Sequence, residues 1–221
     1  MTTVRGLLAQ SNSKLGGSVF HFDLPPVRTC PGRSRGPGGC EAVCYARHGR
    51  FVFPQVIERQ DWCYAQSKLD SFADKMADEL YRKGVLVMRW HVSGDVYSPV
   101  YARKIKAVAQ ARPNVRMYMY TRSWRVDAIA EVLWELAALP NFSLWLSADD
   151  VTKYPPYVPE GVRVAWMQTG DPPEEADLVF ATRAARKEPA RINLDLLCPT
   201  ETDAGKRAGT TCSACQFCFT K

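Results

Sequence analysis

The chain has 221 residues, of which 46% are hydrophobic, 24% charged and 11% aromatic, and its formal net charge is +6. This balance predicts one globular domain over 1–221 and excludes a disordered or collagen-like chain. No apolar run approaches the roughly 20 residues of a membrane helix, and residues 1–13 lack the apolar core of a signal peptide. We therefore expect a cytoplasmic protein without membrane contact. Its eight cysteines are then thiols, because disulfides are rare in reducing compartments.

The N-terminal segment, residues 1–54, is rich in Gly, Pro and Ser and carries three cysteines. Residues 31–39 read PGRSRGPGG, and because Gly and Pro interrupt both helices and strands, this stretch is predicted to be a loop. Residues 55–84 are predicted to form one helix that ends at Gly84, because apolar residues recur at spacings of three and four. That apolar stripe consists of Trp62, Ala65, Leu69, Phe72, Met76 and Leu80.

Residues 85–197 alternate strand patterns with helical patterns, which predicts parallel βαβ units. The predicted strands are 85–92, 115–120, 142–146, 163–167, 178–181 and 192–197, and helices are predicted from Ser98 onward and over 126–139. Several late strands have no helix between them, so eightfold closure is not expected. The predicted fold is α/β, either a partial parallel (β/α) barrel or an open parallel sheet, with Cys-rich loop segments at both ends (1–54 and 198–221).

Polar residues follow the predicted strands directly. Ligands of parallel α/β proteins bind outside the carboxyl ends of the strands, so these residues are predicted to form the rim of a cofactor site. The alternative is ordinary helix capping, for which Ser, Thr and Asp are favoured. The candidate rim residues are Ser93, Gly94, Asp95, Thr121, Arg122 and Ser147.

The C-terminal cysteines have the spacing of a metal site. Cys212, Cys215 and Cys218 are separated by two residues each, and Cys198 precedes a proline, as the fourth cysteine of the bacterial ferredoxin run does. Short turns with this spacing bring sulfurs around one small centre, and thiolates select iron–sulfur clusters or zinc. We predict a metal site from these four residues.

The N-terminal cysteines form a second candidate group. Cys30, Cys40 and Cys44 lie within fifteen residues, and three thiolates on a cube leave one iron open for a substrate or cofactor. Alternatively, only the C-terminal group binds metal, both ends share one cluster, or His48 completes a site of three cysteines and one histidine. Cys63 stands apart on the predicted helix, where a lone cysteine is typically a small buried hydrophobe.

Basic residues crowd toward both cysteine-rich ends, where they predict a partner that carries negative charge. Host protein and nucleic acid are the candidate partners, and a solvated surface that offsets thiolate charge is the alternative. The front group is Arg28, Arg33, Arg35, Arg47 and Arg50. The rear group is Arg183, Arg186, Lys187, Arg191, Lys206 and Arg207.

These motifs resemble the phage "gene product eighty-eight" family, and the resemblance covers most of the chain. It rests on 29–32 (TCPG), 40–47 (CEAVCYAR), 92–95 (VSGD), 120–124 (YTRSW) and 197–199 (LCP) together with the terminal Cys-x2-Cys-x2-Cys. The family is similar in outline to phage proteins related to radical S-adenosylmethionine enzymes. The resemblance implies iron–sulfur ligation by Cys30, Cys40, Cys44, Cys198, Cys212, Cys215 and Cys218.

The similarity to radical S-adenosylmethionine enzymes implies further roles. Those enzymes carry Cys-x3-Cys-x2-Cys; Cys40 and Cys44 match the first spacing, and the next cysteine is missing. Residues 93–95 resemble the Gly-Gly-Glu segment that holds the methionine amino group of the cofactor, and Ser147 is placed to meet its ribose.

Three hypotheses follow. The first is an iron–sulfur protein, with [4Fe–4S] as the expected cluster, that has radical S-adenosylmethionine-like activity at an open iron. The second is a non-catalytic iron–sulfur protein that binds a host protein or nucleic acid. The third is zinc in place of iron, because spacing alone does not separate the two.

Overall fold

The chain folds around a seven-stranded sheet. The structure is a computed structural model that describes residues 6–10, 12–170, 175–182, 185 and 193–220. The strands are β1 (Ala9–Gln10), β2 (Val19–Phe22), β3 (Val87–Trp90), β4 (Arg116–Thr121), β5 (Phe142–Ala148), β6 (Arg163–Gln168) and β7 (Leu178–Ala181). The α-helices are α1 (Pro54–Lys68), α2 (Phe72–Arg82), α3 (Pro99–Ala111), α4 (Asp127–Ala137), α5 (Asp203–Arg207) and α6 (Cys212–Cys215).

The strands lie in the sheet in chain order, from β1 at one edge to β7 at the other. All neighbours pair in parallel except β1 and β2, which are antiparallel. Parallel neighbours need crossover connections, which the helices supply between β2 and β5. Among the described strands the sheet is open, so of the two predicted architectures the structure shows an open, mostly parallel sheet.

The helix predicted over 55–84 is wrong as a single element, because it is two helices. The chain leaves helical geometry at Leu69, whose φ of −66° and ψ of 143° are extended, and Leu69 is exposed. The predicted stripe holds in α2, where Phe72, Met76 and Leu80 are buried. The buried residues of α1 are Gln60, Cys63 and Ser67, so its inner face is mostly polar. The stripe predicted for this helix is not that face, since Trp62 is only half-buried and Ala65 is exposed.

Two further predicted strands differ in extent from the structure. The predicted strand at 192–197 is reduced to a parallel bridge between Leu197 and Val179, with residues 194–196 in a turn and 192 outside the described residues. The predicted strand at 85–92 ends at Trp90, because His91 adopts a left-handed φ of 58°. The His91 ring is buried, with Nε2 at 2.8 Å from the Tyr101 hydroxyl.

The N-terminal segment predicted as loop contains two strands, and β2 pairs in parallel with β3. The residues before it are held by α2: the Glu79 carboxylate accepts the amides of Leu7 at 2.6 Å and Leu8 at 3.2 Å and pairs with Lys83 at 3.0 Å. The predicted C-terminal loop segment likewise contains α5 and α6. No helix in the described ranges is long and apolar enough to cross a membrane.

Alternation along the strands divides the buried side chains between two faces of the sheet. One face packs on the helices and includes Met88, Trp90, Met117, Met119, Leu144, Leu146, Val164 and Val179. The opposite face is covered by both ends of the chain and includes Leu15, Val19, Val87, Tyr118, Trp145, Ala165, Leu178, Cys198, Cys212, Cys218 and Phe219. The covered face that contains the C-terminal cysteines is called the thiol face below.

Candidate functional site

The four C-terminal cysteines line one recess on the thiol face. Cys198, Cys212, Cys215 and Cys218 are brought together around this recess, which opens to solvent. The other lining residues are Leu178, Pro199, Thr200 and Phe217. The structure thus brings the remote Cys198 to the three closely spaced cysteines.

Local geometry explains how the recess forms. The amide of Cys198 donates to Val179 O at 2.9 Å, which fixes this cysteine beside the edge strand β7. Cys212 and Cys215 begin and end the single turn α6. The left-handed φ of 59° at Gln216 then reverses the chain into a 3₁₀ turn that includes Cys218. A spacing of two residues therefore brings all three cysteines to the lining of one recess.

The two ends of the chain meet at this recess. The amides of Cys212 and Ser213 donate to Lys14 O at 2.9 Å and to Leu15 O at 3.0 Å. Gly16 makes the approach feasible, because a Cβ there would lie 2.1 Å from Ser213 Oγ and its φ is +80°. Leu15 is fully buried on the thiol face. The N-terminal segment therefore supports the turn that carries Cys212 and Cys215, although it does not itself line the recess.

Side chains of the sheet support Cys218. The Trp145 indole donates to the Cys218 carbonyl at 2.9 Å, and the Tyr120 hydroxyl donates to the Cys218 sulfur at 2.7 Å. Burial raises the pKa of Tyr120 well above its ordinary value, so its hydroxyl remains a donor at neutral pH. Arg163 adds donors to the carbonyls of Phe217 at 3.0 Å and Thr220 at 3.0 Å.

All eight cysteines are thiols rather than disulfides. Burial raises the pKa of Cys218 to about 11 and raises that of Cys212, so both are neutral when no metal is bound. No three His, Cys, Asp or Glu side chains in the described ranges converge closely enough to hold a metal ion as they stand. The donor set nevertheless fits a soft metal, since four sulfurs share one recess. Ligation would require the side chains to turn inward and lose their protons.

The N-terminal cysteines lie at the carboxyl edge of the sheet. Burial raises the pKa of Cys30 to about 12, and the neighbouring Asp95 carboxylate contributes to that increase, as do Cys40 and Cys44. Burial also raises the pKa of Cys44. Cys30 therefore lies near Asp95, Cys40 and Cys44, at the edge of the sheet where ligands of parallel α/β proteins bind.

A buried clasp holds this cysteine segment on the sheet. The Ser34 hydroxyl donates to Asp149 at 2.5 Å and accepts the Cys40 amide at 2.7 Å. Asp149 also pairs with the Arg122 guanidinium at 2.9 Å. Burial alone would raise the pKa of Asp149, but Arg122 and Ser34 outweigh it, and the pKa lies below its ordinary value. Gly32 packs so closely that a Cβ would lie 1.9 Å from Arg122 O.

The predicted rim residues form one hydrogen-bonded unit. Asp95 accepts from the Thr121 hydroxyl at 2.6 Å, the Arg122 amide at 2.8 Å and the Val96 amide at 2.7 Å. Burial raises the pKa of Asp95, and these hydrogen bonds oppose the increase. The structure therefore shows this carboxylate engaged within the chain.

The other rim residues occupy different positions. Ser93 is buried, donates to Leu24 O at 2.9 Å and accepts from Gln60 at 2.8 Å. Gly94 is enclosed, since a Cβ there would lie 2.6 Å from Thr29 Oγ1. Ser147 is half-buried on β5, and its carbonyl accepts the Trp124 indole at 3.0 Å.

The remaining candidates are resolved in part. Cys63 is buried in α1, which agrees with a structural role. In the front basic group, Arg28 pairs with Asp61 at 2.5 Å and Arg33 pairs with Glu41 at 2.9 Å, whereas Arg47 and Arg50 are exposed. Most of the rear basic group, namely Arg183, Arg186, Lys187 and Arg191, lies outside the described residues.

Sequence reasoning missed three polar residues of these sites: Ser34, Arg89 and Tyr120. Ser34 stands in a Gly-rich run, whose sequence gives no signal of a buried contact. Arg89 and Tyr120 stand in strands whose other residues read as core. The signal that could have identified them is strand alternation, because polar side chains at every second position of a buried strand require polar neighbours.

Fold and sites define a cysteine-rich α/β protein with thiols at the carboxyl edge and on one face of an open parallel sheet. The family model described as Gene product 88 matches residues 4–221, and the chain belongs to that family. The family predicted from the motifs is thereby confirmed.

A curated relative is the "Gene 88 protein" of Mycobacterium phage L5. It is 27% identical over 141 residues, which are 62% of this chain and 52% of the relative. The aligned region thus spans about half the length of that relative. No solved structure matches the chain.

Proposed function

We propose that this phage protein binds an iron–sulfur cluster, [4Fe–4S], through Cys198, Cys212, Cys215 and Cys218. The observation that supports the proposal is that Cys198 lines one recess together with the closely spaced Cys212, Cys215 and Cys218. Cysteine thiolates are the usual ligands of such clusters, and a cube takes four.

The bound cluster would also link the chain ends. Residues 12–17 and 211–213 meet at the recess through backbone hydrogen bonds. Metal ligation in such a position adds binding free energy to folding free energy. We therefore expect the cluster-loaded protein to be more resistant to denaturant than the metal-depleted protein.

A second candidate function involves Cys30, Cys40 and Cys44. The observation that favours it is that Cys30 lies near Asp95 at the carboxyl edge of the sheet and interacts with Cys40 and Cys44. Three thiolates would leave one iron with an open coordination position for a substrate or for S-adenosylmethionine. The Asp95 carboxylate accepts hydrogen bonds from Thr121 and Arg122. Its role in this function would therefore be to hold Thr121 and Arg122 in position.

The alternative function is non-catalytic. In it, iron–sulfur or zinc ligation stabilises the fold, and a host protein or nucleic acid binds at the basic ends. The exposed Arg47 and Arg50 would take part. The discriminating property is coordination, since four protein ligands on every metal centre leave no open position.

Metal analysis tests the main proposal. Iron, sulfide and zinc are measured per chain in anaerobically purified wild type, Cys215→Ala and Cys44→Ala, with Cys63→Ala as the matched control. We expect iron and sulfide in the wild type and the control, and the loss of one cluster in Cys215→Ala. Zinc without sulfide, or a Cys215→Ala variant with the iron content of the control, would refute the proposal.

The same measurement tests whether there are two sites. If Cys44→Ala and Cys215→Ala lose the same single cluster, two separate centres are excluded. For the second candidate function, cluster-loaded protein is given S-adenosylmethionine and dithionite, and released 5′-deoxyadenosine is measured. Failure to bind S-adenosylmethionine in equilibrium dialysis would exclude that function and leave the iron–sulfur proposal standing.

A further inference from the structure

Two side chains of the sheet face the C-terminal cysteine recess without belonging to its ligand set. Tyr120, near the end of β4, donates its hydroxyl to the Cys218 sulfur at 2.7 Å. Arg89, on the neighbouring strand β3, lies with its guanidinium carbon 5.3 Å from the centre of the Tyr120 ring. Cys212 is among the groups that interact with Arg89 electrostatically. The hydroxyl of Tyr120 and the positive charge of Arg89 therefore lie on the same side of the C-terminal cysteines.

The charge of Arg89 has no ion-pair partner among the residues that the structure describes. Its Nε is buried and makes no hydrogen bond, and the described residues provide no carboxylate within ion-pair distance. Asp23, which interacts with Arg89 at longer range, is already paired with His21 at 2.8 Å and accepts the Val92 amide at 2.8 Å. A buried charge is costly unless it is compensated. The thiolates of a metal-bound C-terminal site would supply that compensation.

We infer that Tyr120 and Arg89 are positioning residues for the C-terminal cluster, acting as hydrogen-bond donor and counter-charge, and that they raise its reduction potential. The inference rests on the proposed function, since it requires a cluster at Cys198, Cys212, Cys215 and Cys218. It adds that this cluster is poised for electron transfer as well as for holding the chain ends together.

The direction of the effect follows from charge. Reduction adds one electron to the cluster, so the reduced form carries one more negative charge than the oxidised form. A hydrogen bond to a ligand sulfur and a nearby guanidinium both stabilise the more negative form. Removing either one lowers the reduction potential, and no bond or proton need change in the step.

The test is a reductive titration of cluster-loaded protein with dithionite and redox mediators, followed by visible absorbance. The variants are Tyr120→Phe, Arg89→Gln and Arg89→Lys. The matched control is Tyr97→Phe, which also removes one tyrosine hydroxyl, here one 2.9 Å from the Ser67 hydroxyl on the helix face of the sheet. Iron content and the urea midpoint are measured for every variant.

We expect more negative midpoint potentials for Tyr120→Phe and Arg89→Gln, a value near that of the wild type for Arg89→Lys, and an unchanged value for Tyr97→Phe. If Tyr120→Phe does not retain iron, the comparison of Arg89→Gln with Arg89→Lys tests the inference. Variants that retain iron with the potential of the wild type would overturn the inference and leave the proposed function intact. A wild-type chain without iron overturns the proposed function itself.

Discussion

Gly32 is predicted to be the residue at which the N-terminal cysteine segment is most sensitive to added volume. In Gly32→Ala, the new Cβ would lie 1.9 Å from Arg122 O, 2.5 Å from Arg122 C and 2.9 Å from Ser123 Cα. All three are backbone atoms, so no side chain can rotate away. Contacts under 3.0 Å are essentially never seen for real Cβ atoms, so the two backbone segments must separate by about 1 Å.

The loss of stability can be estimated from overpacked positions in other proteins, where the free energy of unfolding falls by about 1–3 kcal/mol. For a chain of this size that corresponds to a melting temperature lower by about 2–12 °C. The separation would also strain the hydrogen bond between Ser34 and Asp149, because Ser34 lies in the same loop as Gly32. We therefore expect Gly32→Ala to reduce the metal content that depends on Cys44 as well as the stability.

Gly17→Ala is the matched control, because a Cβ at Gly17 meets no atom within 4 Å. Its unfolded chain loses entropy on substitution, so it should be as stable as the wild type or slightly more so. Urea denaturation of both variants, read by tryptophan fluorescence, compares them directly. A Gly32→Ala variant as stable as Gly17→Ala would show that the close approach to Arg122 does not exist in solution.

Three further predictions concern buried polar groups. Burial lowers the pKa of His91 to about 3, so the folded chain resists its protonation. Stability is therefore lost as pH falls below the unfolded value of about 6.5, by about 2 kcal/mol at pH 5. His91→Asn, which tolerates the left-handed backbone, should lack that loss between pH 6.5 and 5; an identical pH profile by urea titration would contradict the assignment. Asp149→Asn leaves the Arg122 charge buried without its partner and should cost about 3–5 kcal/mol by urea denaturation. Its control, Asp61→Asn in an exposed pair, should cost at most about 1 kcal/mol, and equal losses would count against the clasp. Glu79→Ala removes the acceptor of two N-terminal amides and should cost about 1.5–3 kcal/mol, with hydrogen exchange faster at those two amides; unchanged exchange would refute the contact.

The sequence by itself determined the fold class and most of the central sheet. The apolar runs that became β4 to β7 were bounded by turn residues, and the alternation of strands with helices up to β5 predicted parallel pairing. The spacing of Cys212, Cys215 and Cys218 also predicted their grouping, because a two-residue gap across a short turn leaves few other arrangements. These are local patterns, and the sequence alone predicts them because their geometry depends on a few neighbouring residues.

Only the tertiary structure decided which distant residues meet. The strand β2 lay in a Gly- and Ser-rich segment, and it is a strand because β3 offers it a parallel edge. The buried face of α1 is mostly polar, with Gln60 and Ser67 hydrogen-bonded to residues after β3, so the apolar pattern predicted the helix but not the face that it buries. The approach of Cys198 to α6, and of Tyr120 to Cys218, depends on contacts far apart in the chain. Spacing in sequence cannot encode such contacts, because the fold sets these distances.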